Sequence, residues 1–353
     1  MDATEGPPAQ ALPPADESKV EWCFAVPTDG GLGEIRIRPD GAVVWSGSVP
    51  AKTISLDGIS FPGQGFTPVE IVRHDVVRID DTEPALEGTE ILGKRYLFHY
   101  TKAETALTHI LPKRRLRLSP FVDLNDPREA KEWLFAVVSP VGVLRPGESV
   151  EVGREISEYI KGRSRVLCFC TDGSHLRRES SDVELSETLG WTHPNMWAHY
   201  AENHRGVVLV FDRQELLTNC IATLRHRYHL HFGHVFYLPL DHPGGVTPLI
   251  IDYRAWRDRP ADESARAHLE RYRGWFFFTK HTDWVTEQEC RIVAFGDVEQ
   301  YEFLPIEGAL SEIIVGMDAS IETADRCRAL GVEFGATVSR VFWRNGLPAR
   351  IPI

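Results

Sequence analysis

The sequence lacks the short motifs that mark several large enzyme classes. It contains no Walker loop, no G-x-G-x-x-G segment between a strand and a helix, no G-x-S-x-G elbow and no H-E-x-x-H helix. Each of these motifs holds backbone amides, a nucleophile or metal ligands at a fixed spacing. Their absence excludes kinases, Rossmann dehydrogenases, common hydrolases and zinc proteases.

The sequence also lacks an excess of positive charge, an ordered cysteine pattern and a long apolar run. Its 51 acidic and 39 basic residues give a formal charge of -12, which opposes non-specific attraction to nucleic-acid phosphates and anionic lipids. The six cysteines are scattered, and Cys168 and Cys170 are spaced wrongly for a zinc knuckle. No segment approaches the roughly 18 apolar residues of a membrane span. We therefore expect a cytoplasmic protein with reduced thiols, no metal ion and no membrane contact.

Composition divides the chain into four segments. Residues 1–19 are rich in proline, alanine and acidic residues, and we expect them to be disordered. Residues 20–80 hold short β-branched and aromatic runs between turn residues, which predicts a small β-rich N-terminal module. The acidic stretch 81–94 is predicted to be a linker. Residues 95–353 mix strands and helices.

The fold class predicted for residues 95–353 is α+β, with a split β-sheet and inserted helices, because strands are interrupted by helices without regular βαβ alternation. Apolar runs and residue periodicity predict the elements. Strands are expected at 96–100, 115–119, 165–170, 206–211, 289–295, 300–304, 312–315 and 338–343. Helices are expected at 103–111, 128–138, 152–161, 194–203 and 262–278.

Two glutamates two residues apart are the most informative chemical feature. In an extended strand, Glu287 and Glu289 project from the same face, where their charges repel unless water, a cation or a substrate separates them. A carboxylate over a ribose can stabilise positive charge at the anomeric carbon. Alternatively, the face is solvated and Arg291 pairs with Glu289. The sequence leaves both interpretations open.

Three other clusters have a structural and a functional interpretation. Trp197 and Tyr200 lie one helical turn apart and could stack on a flat ring, although core packing is the usual role of such a pair. His99, at the end of a strand, is by itself more typical of a structural group. The segment Asn125-Asp126-Pro127, followed by Glu129, fits a helix start capped by Asp126.

A histidine cluster raises the alternative of a metal pair. On a strand, His229 and His231 would share one face, between His226 and His234. No Cys or acidic residue accompanies them at ligand spacing, so a polar edge strand or loop is favoured.

Read together, these units resemble the bacterial domain-of-unknown-function family 2971. The resemblance covers about residues 96–316 and leaves out the N-terminal module. The matching segments are 98–101, 125–127 with Glu129, 196–206, and Trp284 with Glu287, Glu289 and Arg291.

The order of elements is more distantly similar to the histidine-tyrosine-glutamate branch of ADP-ribosyltransferases, which includes poly-ADP-ribose polymerases and DNA-modifying bacterial toxins. In that branch a strand ends in His followed by Ser or Thr, which His99 and Thr101 fit. A later strand carries an aromatic residue, for which Phe169 is the candidate. A helix with a stacking tyrosine and a strand opened by glutamate follow, which Tyr200 and Glu289 fit.

The resemblance implies that NAD is the substrate. His99 would hydrogen-bond a ribose with support from Thr101, and Tyr200 would stack on nicotinamide. Glu289 would bind the 2′-hydroxyl of the nicotinamide ribose and stabilise the oxocarbenium-like state, while Glu287 would orient or deprotonate the acceptor.

The resemblance also implies three further residues of the NAD-binding site, and the sequence departs from the family pattern at two positions. Tyr100, Phe169 and Trp197 would complete the NAD-binding surface. Tyr100 replaces the glycine usual after the histidine, but its backbone groups remain available. Glu287 is an extra acid, as in the paired-glutamate branch.

The function implied is an NAD-dependent ADP-ribosyltransferase, acting as a toxin or anti-phage effector on an unknown protein or nucleic-acid acceptor. An antitoxin or another defence protein is the partner expected for the N-terminal module. An NAD glycohydrolase and a non-catalytic nucleotide- or protein-binding module are the alternatives. No basic stripe with interleaved aromatics stands out in the sequence, which disfavours a DNA target.

Overall fold

The computed structural model describes the backbone in segments. They are residues 22–28, 31–37, 43–46, 54–56, 59–61, 76–78, 96–138, 148–172, 189–238, 247–253, 256, 258–297 and 301–353. Side chains are described only within the ranges that begin at residue 96. The expected disordered lead at 1–19 and the expected linker at 81–94 lie outside the described residues.

Strands and helices are mixed along the chain, so the predicted α+β class is confirmed. The strands are β1 (Trp22–Thr28), β2 (Gly31–Ile37), β3 (Val43–Ser46), β4 (Ile54–Leu56), β5 (Ile59–Phe61), β6 (Val76–Arg78), β7 (Tyr96–Thr101), β8 (Arg115–Pro120), β9 (Ala136–Val138), β10 (Ser164–Cys170), β11 (Val207–Asp212), β12 (Tyr228–His234), β13 (Phe236–Leu238), β14 (Ile250–Asp252), β15 (Thr279–His281), β16 (Glu289–Gly296), β17 (Glu302–Pro305), β18 (Leu310–Val315), β19 (Thr337–Arg344) and β20 (Leu347–Pro352). The helices are α1 (Ala103–Thr105), continued by a π-helix (Ala106–Ile110), α2 (Pro127–Ala130), α3 (Glu148–Gly162), α4 (Pro194–His199), α5 (Arg213–Leu224), α6 (Ala261–Phe277) and α7 (Ile321–Phe334).

The main sheet contains 11 strands, nine of them in the order β20-β19-β18-β11-β7-β10-β16-β12-β6. The other two are β8, which pairs with β10, and β17, which pairs with β8. Most neighbours are antiparallel, but β18 and β19 are parallel. The N-terminal strands β1, β2 and β3, which lie within the predicted β-rich module, form a separate sheet. However, β6 pairs with β12, so the last strand of that predicted module belongs to the main sheet.

The main sheet forks between β7 and β10. These two strands pair only at Phe98 and Cys170. Further along β10, Arg165 and Val166 pair instead with Pro120 and Ser119 of β8. Because β10 exchanges β7 for β8 as its neighbour, a gap opens in the sheet beyond the Phe98–Cys170 pair. This fork is the place where β7 and β8 diverge on either side of the gap.

Hydrophobic side chains fill both faces of the sheet. On β11, Val207, Leu209 and Phe211 pack in one core cluster, whereas Val208 and Val210 pack in another. A strand buried on both faces reads as a continuous apolar run rather than an alternating one, which explains the pattern from which β11 was predicted. A third cluster joins α3 and α6 around Phe121, Trp133 and Phe276.

One predicted helix is wrong. The helix expected over 128–138 ends at Ala130, and residues 136–138 form β9 instead. The backbone becomes extended at Lys131, with ψ at 159°. The N–H of Trp133 then donates to Ser157 Oγ at 3.0 Å, and its ring packs against Phe121. Burial of this aromatic residue overrides the helical propensity of the segment.

The helix expected over 194–203 is shorter than predicted. It ends at His199, and Glu202, Asn203 and His204 have positive φ values of 53°, 51° and 66°. Three consecutive left-handed residues turn the chain sharply into β11. The turn matters for the site because it fixes where Tyr200, the residue after α4, places its side chain.

Candidate active site at the fork of the sheet

A cavity of about 280 Å³ lies at the fork between β7 and β10. Its walls come from β7, β8, β10, the start of α4 and the region around β15 and β16. It brings together seven of the residues predicted for the site. They are His99, Tyr100, Asn125, Phe169, Tyr200, Glu287 and Glu289.

Glu289 opens β16 and is held by two cations. Its Oε1 accepts from Arg291 Nε at 2.6 Å, and its Oε2 accepts from Arg291 Nη2 at 3.0 Å. Lys280 Nζ lies 2.9 Å from the same Oε2. Burial alone would raise the pKa of Glu289, but Arg291 and Lys280 outweigh burial and hold it well below its usual value. Glu289 is therefore ionised, and its charge is compensated from within the protein.

Arg291 lies behind this carboxylate and does not line the cavity. Its side chain is fully buried and also forms two ion-pair contacts with Glu129, one of them from Nη2 to Oε2 at 3.1 Å. Its Nη1 donates to the carbonyl of Phe277 at 2.7 Å. Arg291 and Glu129 therefore support Glu289 from the core. The pairing of Arg291 with Glu289 that the sequence left open is present.

Lys280 is a charged residue of the cavity wall that the sequence did not predict. It is buried on β15, and its Nζ lies 2.7 Å from Glu287 Oε2 as well as 2.9 Å from Glu289 Oε2. Burial would lower the pKa of this lysine, but the neighbouring carboxylates raise it above its ordinary value. The signal was the glutamate pair itself, since two close carboxylates repel unless water, a cation or a substrate separates them.

Glu287 lies on a different secondary-structure element from the one predicted. It ends a 3-10 helix, Thr282–Glu287, rather than lying on the strand that begins at Glu289. Gln288 between them adopts the left-handed conformation, with φ at 43°. The expectation of two same-face strand residues is therefore wrong in its geometry. The two carboxylates nevertheless converge, because both contact Lys280.

Tyr200 faces Glu287 across the cavity. Its hydroxyl donates to Glu287 Oε1 at 2.5 Å and accepts from Asn125 Nδ2 at 2.5 Å. Burial, together with the charge of Glu287, raises the pKa of this phenol, so it remains a neutral donor. The ring is half-buried and lines the cavity.

His99 bridges the fork. Its Nδ1 lies 3.2 Å from the carbonyl oxygen of Cys168 on β10, and its ring meets Phe169 edge-on at 5.8 Å. Burial lowers the pKa of His99, so the imidazole is neutral near pH 7. With Nδ1–H donating to the carbonyl, Nε2 is left as an acceptor. This tautomer can accept a hydrogen bond from a ligand hydroxyl.

Five predicted site residues do not line the cavity. Trp197 is fully buried, donates from Nε1 to the carbonyl of Trp191 at 2.8 Å and stacks on His204, so its predicted role as an NAD-binding surface is wrong. Thr101 is buried, and Asp126 accepts from Arg128 N at 2.9 Å as the cap of α2. Glu129 and Arg291 form the ion pair behind the site. These five are Thr101, Asp126, Glu129, Trp197 and Arg291.

Tyr100 lines the cavity, but its hydroxyl is directed away from it. It contributes to the cavity wall, but its hydroxyl donates to the carbonyl of Gly190 at 2.9 Å and its ring packs edge-on against Trp197 at 5.4 Å. The phenol therefore points into the core, and the side chain does not fill the fork. Phe169, by contrast, contributes to the wall directly.

Two carboxylates, Glu287 and Glu289, and one cation, Lys280, line this end of the cavity. Lys280 contacts both carboxylates, and Arg291 contacts Glu289 from behind. Charge interactions strengthen where water is excluded. The arrangement therefore favours a ligand that is cationic, or becomes cationic, at this end of the cavity.

The histidine cluster is not grouped as a metal site. His231 is fully buried on β12, and its Nε2 lies 3.9 Å from Glu270 Oε2. Within the part of the chain that the structure describes, no three His, Cys, Asp or Glu side chains are arranged as ligands for one ion. None of the helices in that part combines the length and the apolar composition that crossing a membrane requires.

Comparison with known proteins confirms the predicted family over part of the chain. Residues 196–292 match the family model described as a protein of unknown function (DUF2971). The matched segment begins in α4 and ends in β16, so it contains Tyr200, Lys280, Glu287 and Glu289. Neither curated proteins nor solved structures give a significant match.

Proposed function

We propose that the cavity at the fork binds NAD and that the protein cleaves the bond between nicotinamide and ribose as an ADP-ribosyltransferase. The observation that carries the proposal is the meeting of His99, Tyr200, Glu287 and Glu289 in one cavity. These residues come from distant parts of the chain, and the distant resemblance to ADP-ribosyltransferases assigns three of them to the substrate.

The size and walls of the cavity suit part of a dinucleotide. At about 280 Å³ it lies near the lower end of ligand pockets, so it would hold the nicotinamide riboside half of NAD and leave the adenylate outside. The ring of Tyr200 would stack on nicotinamide. His99 Nε2 would accept a hydrogen bond from a ribose hydroxyl.

The charge of the site would favour the transition state over the ground state. As nicotinamide leaves, positive charge develops on the ribose, and the two carboxylates that line the cavity would stabilise it. Two N–H donors of Arg291, the ammonium of Lys280 and the thiol of Cys168 already interact with the Glu289 carboxylate, so a ribose hydroxyl that binds it would displace one of these donors. Glu287, held by the hydroxyl of Tyr200 and by Lys280, would face the incoming acceptor.

The test is nicotinamide release from NAD labelled in its adenylate half. We expect release by the wild-type protein, and at least a hundredfold loss in Glu287→Gln and in Glu289→Gln, since a well-placed charge is worth about 3–4 kcal/mol. Glu302→Gln is the matched control, because Glu302 is also buried and paired with an arginine, Arg227, but does not line the cavity. Absence of nicotinamide release by the wild-type protein under all conditions would refute the proposal.

A non-catalytic binding module is the second candidate, and the saturation of Glu289 by Arg291 and Lys280 favours it. Calorimetry separates the two functions. Binding of NAD without nicotinamide release would support the module, whereas release with all label recovered as free ADP-ribose would identify an NAD glycohydrolase.

The proposed biological setting is that of a toxin or anti-phage effector, as the resemblance implies. Expression of the wild-type protein in bacterial cells should then slow growth, and Glu287→Gln should remove the effect. Equal growth inhibition by the two proteins would contradict a toxic NAD chemistry.

A further inference from the structure

The two-stranded ribbon of β8 and β17 has an outward face that the NAD site does not use. Arg117 pairs in register with Phe303, and Arg115 pairs with Pro305. Leu116, Leu118, Glu302 and Leu304 point inward and are buried. The outward positions therefore carry arginine on one strand and ring side chains on the other.

Arginine and aromatic side chains stack on this ribbon. The Cζ of Arg115 lies 3.9 Å from the ring centroid of Phe303, and the Cζ of Arg117 lies 5.0 Å from that of Tyr301. Tyr301 is 39% exposed, so part of its side chain is open to a partner. Beside the ribbon, Arg114 lies 4.6 Å from the ring of Phe334.

The ribbon is locally basic in a protein that is acidic as a whole. Lys113, Arg114, Arg115 and Arg117 are all exposed, with only Leu116 between them. On the described residues of β8 and β17, no carboxylate lies at an outward position, because Glu302 points inward to Arg227. Asp123, at the cavity, is the nearest acidic group that shares a wall with Arg117.

This chemistry fits single-stranded nucleic acid. Arginines bind phosphates, while unstacked bases stack on aromatic rings and on guanidinium planes. An acidic peptide would use the cations but not the exposed ring. Duplex DNA would use the cations but keeps its bases stacked internally. The alternation of charge and ring therefore favours a single strand.

The ribbon also leads into the cavity. Arg117 and Ser119 lie on the outward side of β8, and both line the cavity that holds Glu287. A strand bound along the ribbon would therefore present a nucleotide at the mouth of the site. Sequence alone could not reveal this stripe, because its arginines and its rings come from β8 and β17, which are far apart in the chain.

We infer that the outward face of the β8–β17 ribbon binds single-stranded nucleic acid and delivers it to the cavity as the acceptor of ADP-ribose. The delivery rests on the proposed function, whereas the binding does not.

Binding is tested without NAD, by fluorescence anisotropy of a labelled 20-nucleotide single strand of mixed sequence on the full chain (a length of about 20 exceeds one typical site). We expect binding that weakens as salt rises. Arg115→Gln should reduce the slope of log K against log salt concentration by about 0.7. Tyr301→Ala should weaken binding between about fivefold and a hundredfold.

The matched control is Arg271→Gln, which removes an exposed arginine that also lies over a tyrosine ring, at 5.3 Å from that of Tyr272 on α6. It should bind as the wild type does, and circular dichroism should show that all variants are folded. No binding by the wild type, or an equal loss in Arg271→Gln, would overturn the inference.

A second arm separates this inference from the proposed function. With labelled NAD and no oligonucleotide, Arg115→Gln should release nicotinamide at the wild-type rate, with water as the acceptor of ADP-ribose, because Arg115 lies outside the cavity. With the oligonucleotide present, it should transfer less label to the strand than the wild type does, and the remaining label should be recovered as free ADP-ribose. Label on protein instead of on the strand would overturn the delivery of nucleic acid. Failure of all nicotinamide release, with strand binding intact, would refute the NAD chemistry and support the binding surface.

Discussion

At the scale of single residues, the site depends on how one lysine separates two glutamates. Lys280 contacts Glu287 at 2.7 Å and Glu289 at 2.9 Å, and all three side chains are buried. Removing one member of a buried ion-pair network leaves the others uncompensated in a medium of low dielectric constant. The lysine is therefore a positioning residue for both carboxylates.

Replacement of Lys280 by methionine should be strongly destabilising. We expect Lys280→Met to lower the free energy of unfolding by about 3–5 kcal/mol, as measured by urea denaturation. The double variant Lys280→Met/Glu287→Gln should recover part of the loss, because it removes the charge of Glu287, which has lost its contact with Lys280, whereas Glu289 retains Arg291. Lys102→Met, at an exposed position, is the control for loss of a lysine. A similar midpoint for Lys102→Met and Lys280→Met would contradict the role of the ion pairs.

Glu289 should make stability depend on pH in the acid range. Arg291 and Lys280 outweigh burial and depress its pKa below the ordinary 4.5. A depressed carboxylate contributes stability above its unfolded pKa and loses it as the pH falls towards its folded pKa. The free energy of unfolding should therefore decline below about pH 5.

The decline should be shallower in Glu289→Gln than in the wild type when urea midpoints are measured down the acid range. Glu322→Gln, which removes an exposed carboxylate from α7, is the comparison. Parallel acid profiles for the wild type and Glu289→Gln would show that the ion pair with Arg291 adds no stability.

At the scale of secondary-structure elements, the turn between α4 and β11 is the tightest constraint near the site. A Cβ on Gly206 would lie 2.3 Å from the carbonyl oxygen of Thr101 and 2.9 Å from backbone atoms of Ala201. Neither backbone can move freely, because β7 and β11 pair through Thr101 and Val207. This glycine lets the chain leave α4 and enter the sheet beside β7.

Gly206→Ala should therefore lower the free energy of unfolding by about 1–3 kcal/mol, as overpacking in a fixed backbone does. The measurement is urea denaturation, with Gly162→Ala as the control. A Cβ at Gly162, at the end of α3, would meet nothing within 4 Å. If both variants unfold at the same urea concentration, the close approach at Gly206 is not rigid.

Two helices were missed although their end signals are in the sequence. Asp212 caps α5 by accepting from the backbone of Gln214 and Glu215. Ser320 caps α7, which stops at Gly335 with φ at 67°. Both are ordinary start and stop signals. The apolar face of α5 is not recognisable in the sequence, because α5 follows β11 directly and no loop separates the apolar residues of the two elements.

The candidate site was only partly predictable. Local patterns place Glu289 at the start of a strand, as observed, but they place Tyr200 within a helix, whereas it follows the end of α4. Lys280 and the pairing of Glu129 with Arg291 depend on contacts between segments distant in sequence. The prediction that Trp197 binds NAD is wrong, because two aromatic residues one helical turn apart can pack in a core as well as face a ligand.

At the scale of the whole molecule, β6 joins the N-terminal part of the chain to the main sheet. It pairs with β12 through three residue pairs, His231 with Arg78, Phe232 with Val77 and Gly233 with Val76. An unpaired strand edge exchanges its amide hydrogens rapidly and invites pairing with another chain. The N-terminal segment therefore protects this edge of the sheet.

Removal of residues 1–79 should expose that edge, whereas removal of residues 1–70 retains β6. In the chain that begins at residue 80, we expect the amides of β12 to exchange at least about tenfold faster than in the full protein. Light scattering should detect self-association of this chain. The chain from residue 71 should behave as the full protein does. Equal exchange in the two truncated chains would show that β6 does not protect β12.

The left-handed backbone of Gln288 gives a criterion for finding the same site in other chains. A pair of glutamates separated by one residue lies on one face when the segment is an ordinary strand. Here the middle residue must tolerate a positive φ of 43°, which Gly, Asn and Asp do readily and Val or Ile do not. A chain with a β-branched residue between the glutamates would hold them on one strand face, so E-x-E should count as this site only when x is compatible with the left-handed turn.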